Sequence, residues 1–477
     1  MNEKGAIFIP VEEDQPLLNN LVQGETPQGC SRGIFCKRCV VGKHENSRKR
    51  VFIRRTFAAM LLAWLYYSVF GNHRPGIKSN EGHGGDRHGD QCHKDDLIPW
   101  NGPSQFETTA TNIDFRFGKG NMFTSVKILS NNDIEYPTIV VHANVSKTHG
   151  EDRGEEFQND ELVVLDANTK EVHHHGLHIH VREDDSGFEI GFWADEYIYH
   201  GHNHSDHPSH YPHHRRKFCV TLEAQIFLPE SFTKFGRLSI EGKVMDLSAR
   251  DVANIAFEKL EVTSTVGEIV FQDNVIASHF SAMVTSGAVT VHSITAPAGS
   301  PLKARVWTTV GAIAVNVVLP QISVGAEDQK HEVSIATTTG AVQLDVKPAN
   351  TDGSIENTVP GEAHIDTNSE VGQIRSLVEL ADGQVLFLDS RSTTGHIEAT
   401  IGDKFLGTLQ LQTDMGSTSV IEANYSASEI EFQKNTSRQK IGRKHLKKDQ
   451  NGDDDADENE GEIVLRSGFG RAELIFV

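Results

Sequence analysis

Between residues 263 and 477 the chain repeats one short phrase. It reads Thr or Ser, one to four residues, Gly, and then a stretch in which apolar and polar residues alternate. The copies carry their glycines at 267, 287, 311, 340, 372, 395, 416 and 470. Successive glycines lie roughly 20 to 30 residues apart, with one wider gap before Gly470. That period suits one coil of a repeat architecture. Each copy has the same logic: Thr/Ser and Gly turn the chain, and a run such as Ala341-Val-Gln-Leu-Asp-Val346 points one face inward. A single copy cannot bury that face, and stacked copies can. The expected fold is all-β, a β-solenoid-like stack of short strands, and eight copies at ~4.8 Å each make a body about 35–40 Å long. The irregular spacing keeps a β-sandwich as the alternative.

Upstream, residues 97–262 read as a β-rich first part of the same body. Strand-like runs occur at Ile113–Phe117, Phe123–Ile128, Thr138–Ala143, Leu162–Leu165, Leu177–Val181, Phe218–Leu222 and Leu238–Met245, with turn residues between them. With the lead-in Phe257, Leu260 and Val262, the repeated phrase resembles the putative-adhesin β-repeat domains of unknown function found in bacteria and fungi. The resemblance covers about 97–433 and 462–477 and is strongest from Phe257 to Ile421. It implies a β-repeat fold and, as in fungal members, one N-terminal membrane span. It implies no catalytic residues.

The span is legible on its own terms. Residues 56–71, Thr-Phe-Ala-Ala-Met-Leu-Leu-Ala-Trp-Leu-Tyr-Tyr-Ser-Val-Phe-Gly, are the one long apolar run. As a helix they cover about 24 Å, and Val51–Ile53 lengthen the stretch while Arg54 and Arg55 reach the headgroups. More than fifty residues precede it, unlike a cleaved signal peptide. Basic residues crowd its N-terminal side, from Lys37 to Arg55, and thin out after it. The positive-inside rule then keeps residues 1–55 cytosolic as a disordered tail and carries everything beyond Gly71 across the membrane. Residues 72–96, rich in Gly, His and Asp, read as a flexible stalk. Four glycosylation sequons, at Asn144, Asn203, Asn424 and Asn435, all fall after the span. So do Cys92 and Cys219, which can pair in an oxidising lumen.

In the tail, Glu13-Asp-Gln-Pro-Leu17-Leu18 has the form of an acidic dileucine sorting signal for an adaptor. It points to endosomes or the vacuole, with the cell surface as the alternative. Cys30, Cys36 and Cys39 beside basic residues read as plain thiols, palmitoylation acceptors or half a metal site.

Histidine is concentrated before the repeats, in His173–His180 and again in His200–His214. His173, His175, His178, His180, His200, His202 and His204 are the candidate ligands for zinc or copper. On a strand, His178 and His180 point to one face. The competing readings are a solvated histidine-rich loop and a pH-sensing one. No cofactor is otherwise expected. A second insert, residues 434–461, runs from basic to acidic and reads as a disordered polyampholyte loop. The apolar end, Ala472–Val477, then implies a strand that docks back into the body.

With a net charge of -21, no basic face for nucleic acid is expected. No Gly-x-Ser-x-Gly, phosphate loop or catalytic cysteine pattern occurs. The outward positions of the repeats read as Thr, Ser, Gln and scattered single charges. The expectation is therefore a type II single-pass membrane protein with a non-enzymatic, adhesin-like ectodomain that binds a glycan or protein. A histidine-rich metal or pH sensor and a carbohydrate-active β-helix enzyme are the alternatives.

Overall fold

The computed structural model describes residues 97–118, 120–146, 161–164, 169–174, 176–195, 197–198, 216–325, 330–349, 358–422, 428–446 and 460–477. All belong to one compact unit, Asp86–Val477. They are all-β, and most lie in one large, mixed and largely parallel sheet of 26 strands. No helix among the described residues is long and apolar enough to cross a membrane. The expected tail, span and stalk, residues 1–96, lie outside the described residues.

In the copies from Gly267 to Gly395 two strands meet at the glycine, and at Gly416 and Gly470 one strand runs through it. Lys303–Val310 and Ile313–Leu319 flank Gly311. Lys330–Thr339 and Val342–Pro348 flank Gly340, and Glu362–Val371 and Ile374–Val378 flank Gly372. The strand before the glycine pairs in parallel with its equivalent in the next copy, and so does the strand after it. Two parallel ladders result, joined along the line of glycines. The first ladder holds the strands before the glycines and the second those after. Parallel pairing follows from the repeat length, because the chain must complete a whole circuit before it returns to the same position. Alternation does the rest: Val342, Leu344 and Val346 are buried while Gln343 and Asp345 point away. The same rule holds in both ladders, so one continuous core fills the space between them.

The glycine itself is required by contact. At Gly340 the backbone is left-handed, with φ 151°. A Cβ there would sit 1.9 Å from the carbonyl oxygen of Gly311, one copy away. No side chain fits, so the copies can approach only through glycine. The hydroxyl of the phrase has an equally specific task. Thr308 donates to the Gly287 carbonyl at 3.2 Å and Thr337 to that of Gly311 at 3.2 Å. Ser369, Ser392, Thr413 and Ser467 make the same contact to the glycine carbonyl of a neighbouring copy. In every case the hydroxyl lies three residues before the glycine, a fixed offset inside the looser spacing read from sequence. These side chains are buried, and their bonds satisfy carbonyls at the corner. The copy at Gly287 has Val284 at this position and lacks the hydroxyl.

The order of the copies departs from the order of the chain. They stack in sequence from Gly267 to Gly395. The next is Gly461–Phe476, whose halves pair with Leu386–Thr394 and Ile397–Ile401. Gly407–Glu422 comes last, paired along its whole length with the other edge of Gly461–Phe476. The expected docking of the C-terminal strand is thus an insertion between two earlier copies.

Residues 434–446, expected as the start of a disordered insert, are instead ordered. Ser428–Asn435 and Gln439–Leu446 form an antiparallel hairpin, and its second strand covers the outer edge of residues 407–412. Charge density misled the sequence reading, because strand pairing absorbs the backbone here and Lys444 is buried. Its amine donates to the Asp403 carbonyl at 3.0 Å and lies 4.2 Å from the centre of the Phe476 ring. Residues 447–459 lie outside the described residues.

Stacking also begins earlier than the expected boundary at residue 263. Ile113–Phe117 pairs in parallel with Lys234–Ala249, which pairs in parallel with Ala256–Val266. Asn121–Asn131 continues the second ladder against the far end of Lys234–Ala249. At this end of the body antiparallel strands take over: Thr169–His174, Leu177–Asp184 and Gly187–Ala194 extend the first ladder. Thr138–Ser146 extends the second through Cys219–Pro229.

Candidate functional site

Because the copies are in register, each outward position forms a row that runs across the stack. On the first ladder one row places Ser334, Asp366, Asp389 and Val464 side by side. The neighbouring row holds Glu332, His364, Phe387 and Glu462. Together they line an open groove of about 350 Å³. His364 stacks on Phe387 with ring centres 4.5 Å apart, and its Nε2 lies 2.8 Å from Glu362 Oε2. Arg391 donates through Nε to Asp389 Oδ1 at 2.9 Å and through Nη2 to Oδ2. This bond holds the guanidinium firmly charged. Asp366 is different. Burial, and then the negative charge of Asp389, push its carboxyl above the usual aspartate value, against the smaller pull of Arg391. The groove thus pairs a carboxylate anchored by arginine with one whose pKa is raised. Upstream on the same face, Lys259, His279, Lys303 and Arg305 line a second open groove of about 270 Å³. Glu261 and Glu332 line that groove too, so its charge is mixed.

The sequence reading missed the carboxylate pair. Asp366 and Asp389 look like scattered single charges until each is counted from the glycine of its copy, six residues on.

On the second ladder His396, Glu398 and Glu473 meet, with one ligand atom from each within 4.8 Å of the others. Sequence reasoning did not find this group either. The two-residue spacing of His396 and Glu398 places both on one face of a strand, a visible signal. Glu473 joins them only because the C-terminal strand inserts beside Ile397–Ile401.

Of the expected histidine ligands, His178 and His180 do share the outer face of Leu177–Asp184. His178 Nε2 lies 3.0 Å from Asp195 Oδ1, and His180 Nδ1 lies 3.4 Å from Glu171 Oε1. Both rings rest against Trp193, at 5.9 and 6.1 Å between centres. Each imidazole is thus held by its own carboxylate, with the indole as a shared support. His173 is opposite His178 in the antiparallel pairing. His175, His200, His202 and His204 lie outside the described residues, as do Glu13, Leu17, Leu18, Asn203 and Asn424. Asn144 and Asn435 are exposed on strands. Cys219 is disulfide-bonded, and Cys92 lies outside the described residues.

Residues 313–476, about a third of the chain, match the model of a domain of unknown function, DUF7330. The matched stretch contains the acidic groove, the His396 group and the inserted C-terminal strand. Among solved structures, a putative cell adhesion protein from Clostridium sporogenes is similar at 10% identity. The match covers 80% of this chain and 100% of that one, with a TM-score of 0.13, too low to establish a shared fold. Among curated proteins nothing matches.

Proposed function

We propose that the protein is a type II single-pass membrane protein whose β-solenoid-like ectodomain is an adhesin-like binding or structural body rather than an enzyme. The observation that carries this reading is where the repeated phrase is spent. Its glycines and hydroxyls are consumed inside the stack, and they leave long, in-register polar rows on the outside. Such rows, lined by open grooves, suit an extended macromolecular ligand, a glycan or a protein, better than a small enclosed substrate. The cytosolic tail, through Glu13, Leu17 and Leu18, engages a sorting adaptor and directs the protein to endosomes or the vacuole. Detergent-solubilised full-length protein on glycan arrays, with co-purification from membranes, tests the binding role. Saturable capture of a glycan or protein class supports it. A shortened glycan product sinks it. Protease digestion of intact microsomes tests the topology, and loss of the C-terminal part would refute it.

One observation favours the second alternative, a carbohydrate-active enzyme: the Asp366–Asp389 pair on neighbouring copies. Glycoside hydrolysis needs one carboxyl that keeps its proton and one that stays ionised. The raised carboxyl of Asp366 suits the acid, and Asp389 lies beside it in register on the next copy. Under the enzyme reading, Asp366→Asn abolishes product formation; under the binding reading there is no product to lose.

A further inference from the structure

We propose that His396, Glu398 and Glu473 form a divalent transition-metal site of the zinc type on the outer face of the second ladder. The site is independent of the ligand-binding reading above. Its ligands come from two neighbouring strands. His396 and Glu398 bracket the start of Ile397–Ile401, and Glu473 comes from Gly461–Phe476, directly beside Glu398 in register.

The imidazole is oriented before any ion arrives. His396 Nδ1 lies 3.0 Å from the main-chain carbonyl of Arg471 and donates to it. In the neutral ring that bond selects the Nδ1–H tautomer, which leaves the lone pair on Nε2. A backbone carbonyl holding the far nitrogen is the usual support of a metal-bound histidine. Nε2 then faces one oxygen of each carboxylate, Glu398 Oε2 at 3.7 Å and Glu473 Oε2 at 4.0 Å. Both separations are too long for a hydrogen bond. They are close to what an ion between the groups requires, since tetrahedral bonds of about 2.0–2.1 Å set ligand atoms about 3.3–3.4 Å apart.

The carboxylates are also held by other partners. Arg375 Nε donates to Glu398 Oε1 at 3.0 Å, and its Nη2 lies 3.4 Å from Oε2. Ser419 donates to Glu473 Oε1 at 3.1 Å, and Arg471 donates to the same oxygen. These partners orient the carboxylates and balance their charge. Glu473 is almost fully buried, while His396 and Glu398 are partly open to solvent. The set is one nitrogen and two oxygens, with room for a solvent ligand. Imidazole in the set favours Zn²⁺ and its neighbours over Ca²⁺ or Mg²⁺.

The test is Zn²⁺ binding to the purified full chain, read as bound metal per chain and by isothermal titration, with His396→Ala and Glu398→Gln compared to wild type. The histidine-rich segment is present in all three proteins, so its contribution cancels. The expected result is one Zn²⁺ fewer per chain in His396→Ala and at least tenfold weaker binding at that site in Glu398→Gln. Co²⁺ in place of Zn²⁺ should give visible absorption bands that His396→Ala diminishes. Matched circular dichroism melts establish that the variants are folded. Equal stoichiometry and affinity in all three proteins, or no Zn²⁺ binding by wild type, would overturn the proposal.

Discussion

Replacing Gly340 by Ala should be among the most damaging single-methyl changes this chain can suffer. The new Cβ would lie 1.9 Å from the Gly311 oxygen and 2.6 Å from its carbon. Relief requires the two copies to move apart by about 1 Å, since real contacts of this kind rarely fall below about 3 Å. That movement breaks three corner bonds: Gly311 N to Thr339 O at 2.9 Å, Ile313 N to Ala341 O at 2.9 Å, and the Thr337 hydroxyl to Gly311 O at 3.2 Å. At about 1 kcal/mol each they total ~3 kcal/mol. The left-handed backbone adds about 1–3 kcal/mol more. Gly383 supplies the control. It too is left-handed, at φ 75°, but a Cβ there meets nothing within 4 Å. Gly383→Ala therefore carries the milder cost of a left-handed backbone without the clash. In urea unfolding followed by circular dichroism, Gly340→Ala should lose about 3 kcal/mol more than Gly383→Ala. The Ile313 amide should also exchange about a hundredfold faster in Gly340→Ala. Equal losses in the two variants would refute the claim that close approach, rather than backbone conformation, dictates glycine at the corner.

Three further outcomes are expected. Val284→Thr should supply the missing corner hydroxyl to the Gly267 carbonyl and raise stability in urea by about 0.5–1.5 kcal/mol; a loss would mean that this corner does not share the hydroxyl contact. Asp366 has a raised carboxyl pKa in the fold, so its ionisation costs stability as pH rises through that folded value, and the cost is absent below the ordinary value of 3.8. Asp366→Asn should therefore stabilise the protein near neutral pH and make little difference near pH ~3, and urea midpoints that differ equally at both would contradict this. Burial lowers the pKa of Lys444, partly offset by Glu422 and Asp403. The wild type should gain stability as pH rises through that lowered value towards 10.5, a gain that Lys444→Met abolishes in thermal melts.

The parts of this fold governed by local chemistry were legible in the residues. Alternation at Val342, Leu344 and Val346 declares a strand with one buried face, and glycine after Thr or Ser declares a corner. The docking of Ala472–Val477 was legible for the same reason. What stayed hidden depends on which copies become neighbours. Nothing local distinguishes Gly470 from Gly416, so the insertion of the last strand could not be read. The His396–Glu473 approach was hidden with it, whereas Asp366 and Asp389 each lie six residues before the glycine of consecutive copies, a signal the sequence did carry. The basic run around Lys440–Lys448 failed differently. Its charge argued for solvent, but pairing with residues 407–412 was the stronger constraint up to Leu446.

The His396 group exists only if Gly461–Phe476 lies beside Leu386–Ile401, ahead of Gly407–Glu422. Paired cysteines test that order directly. Arg391 is the register neighbour of Arg466, and Arg466 of Gln412. Neighbouring parallel strands place Cα atoms about 4.8 Å apart, within disulfide range, and strands two apart about 9.6 Å, beyond it. Mass spectrometry after mild oxidation should find the 391–466 disulfide in Arg391→Cys with Arg466→Cys. It should find no 391–412 disulfide in Arg391→Cys with Gln412→Cys. The reverse pattern would place the copies in chain order and contradict the account.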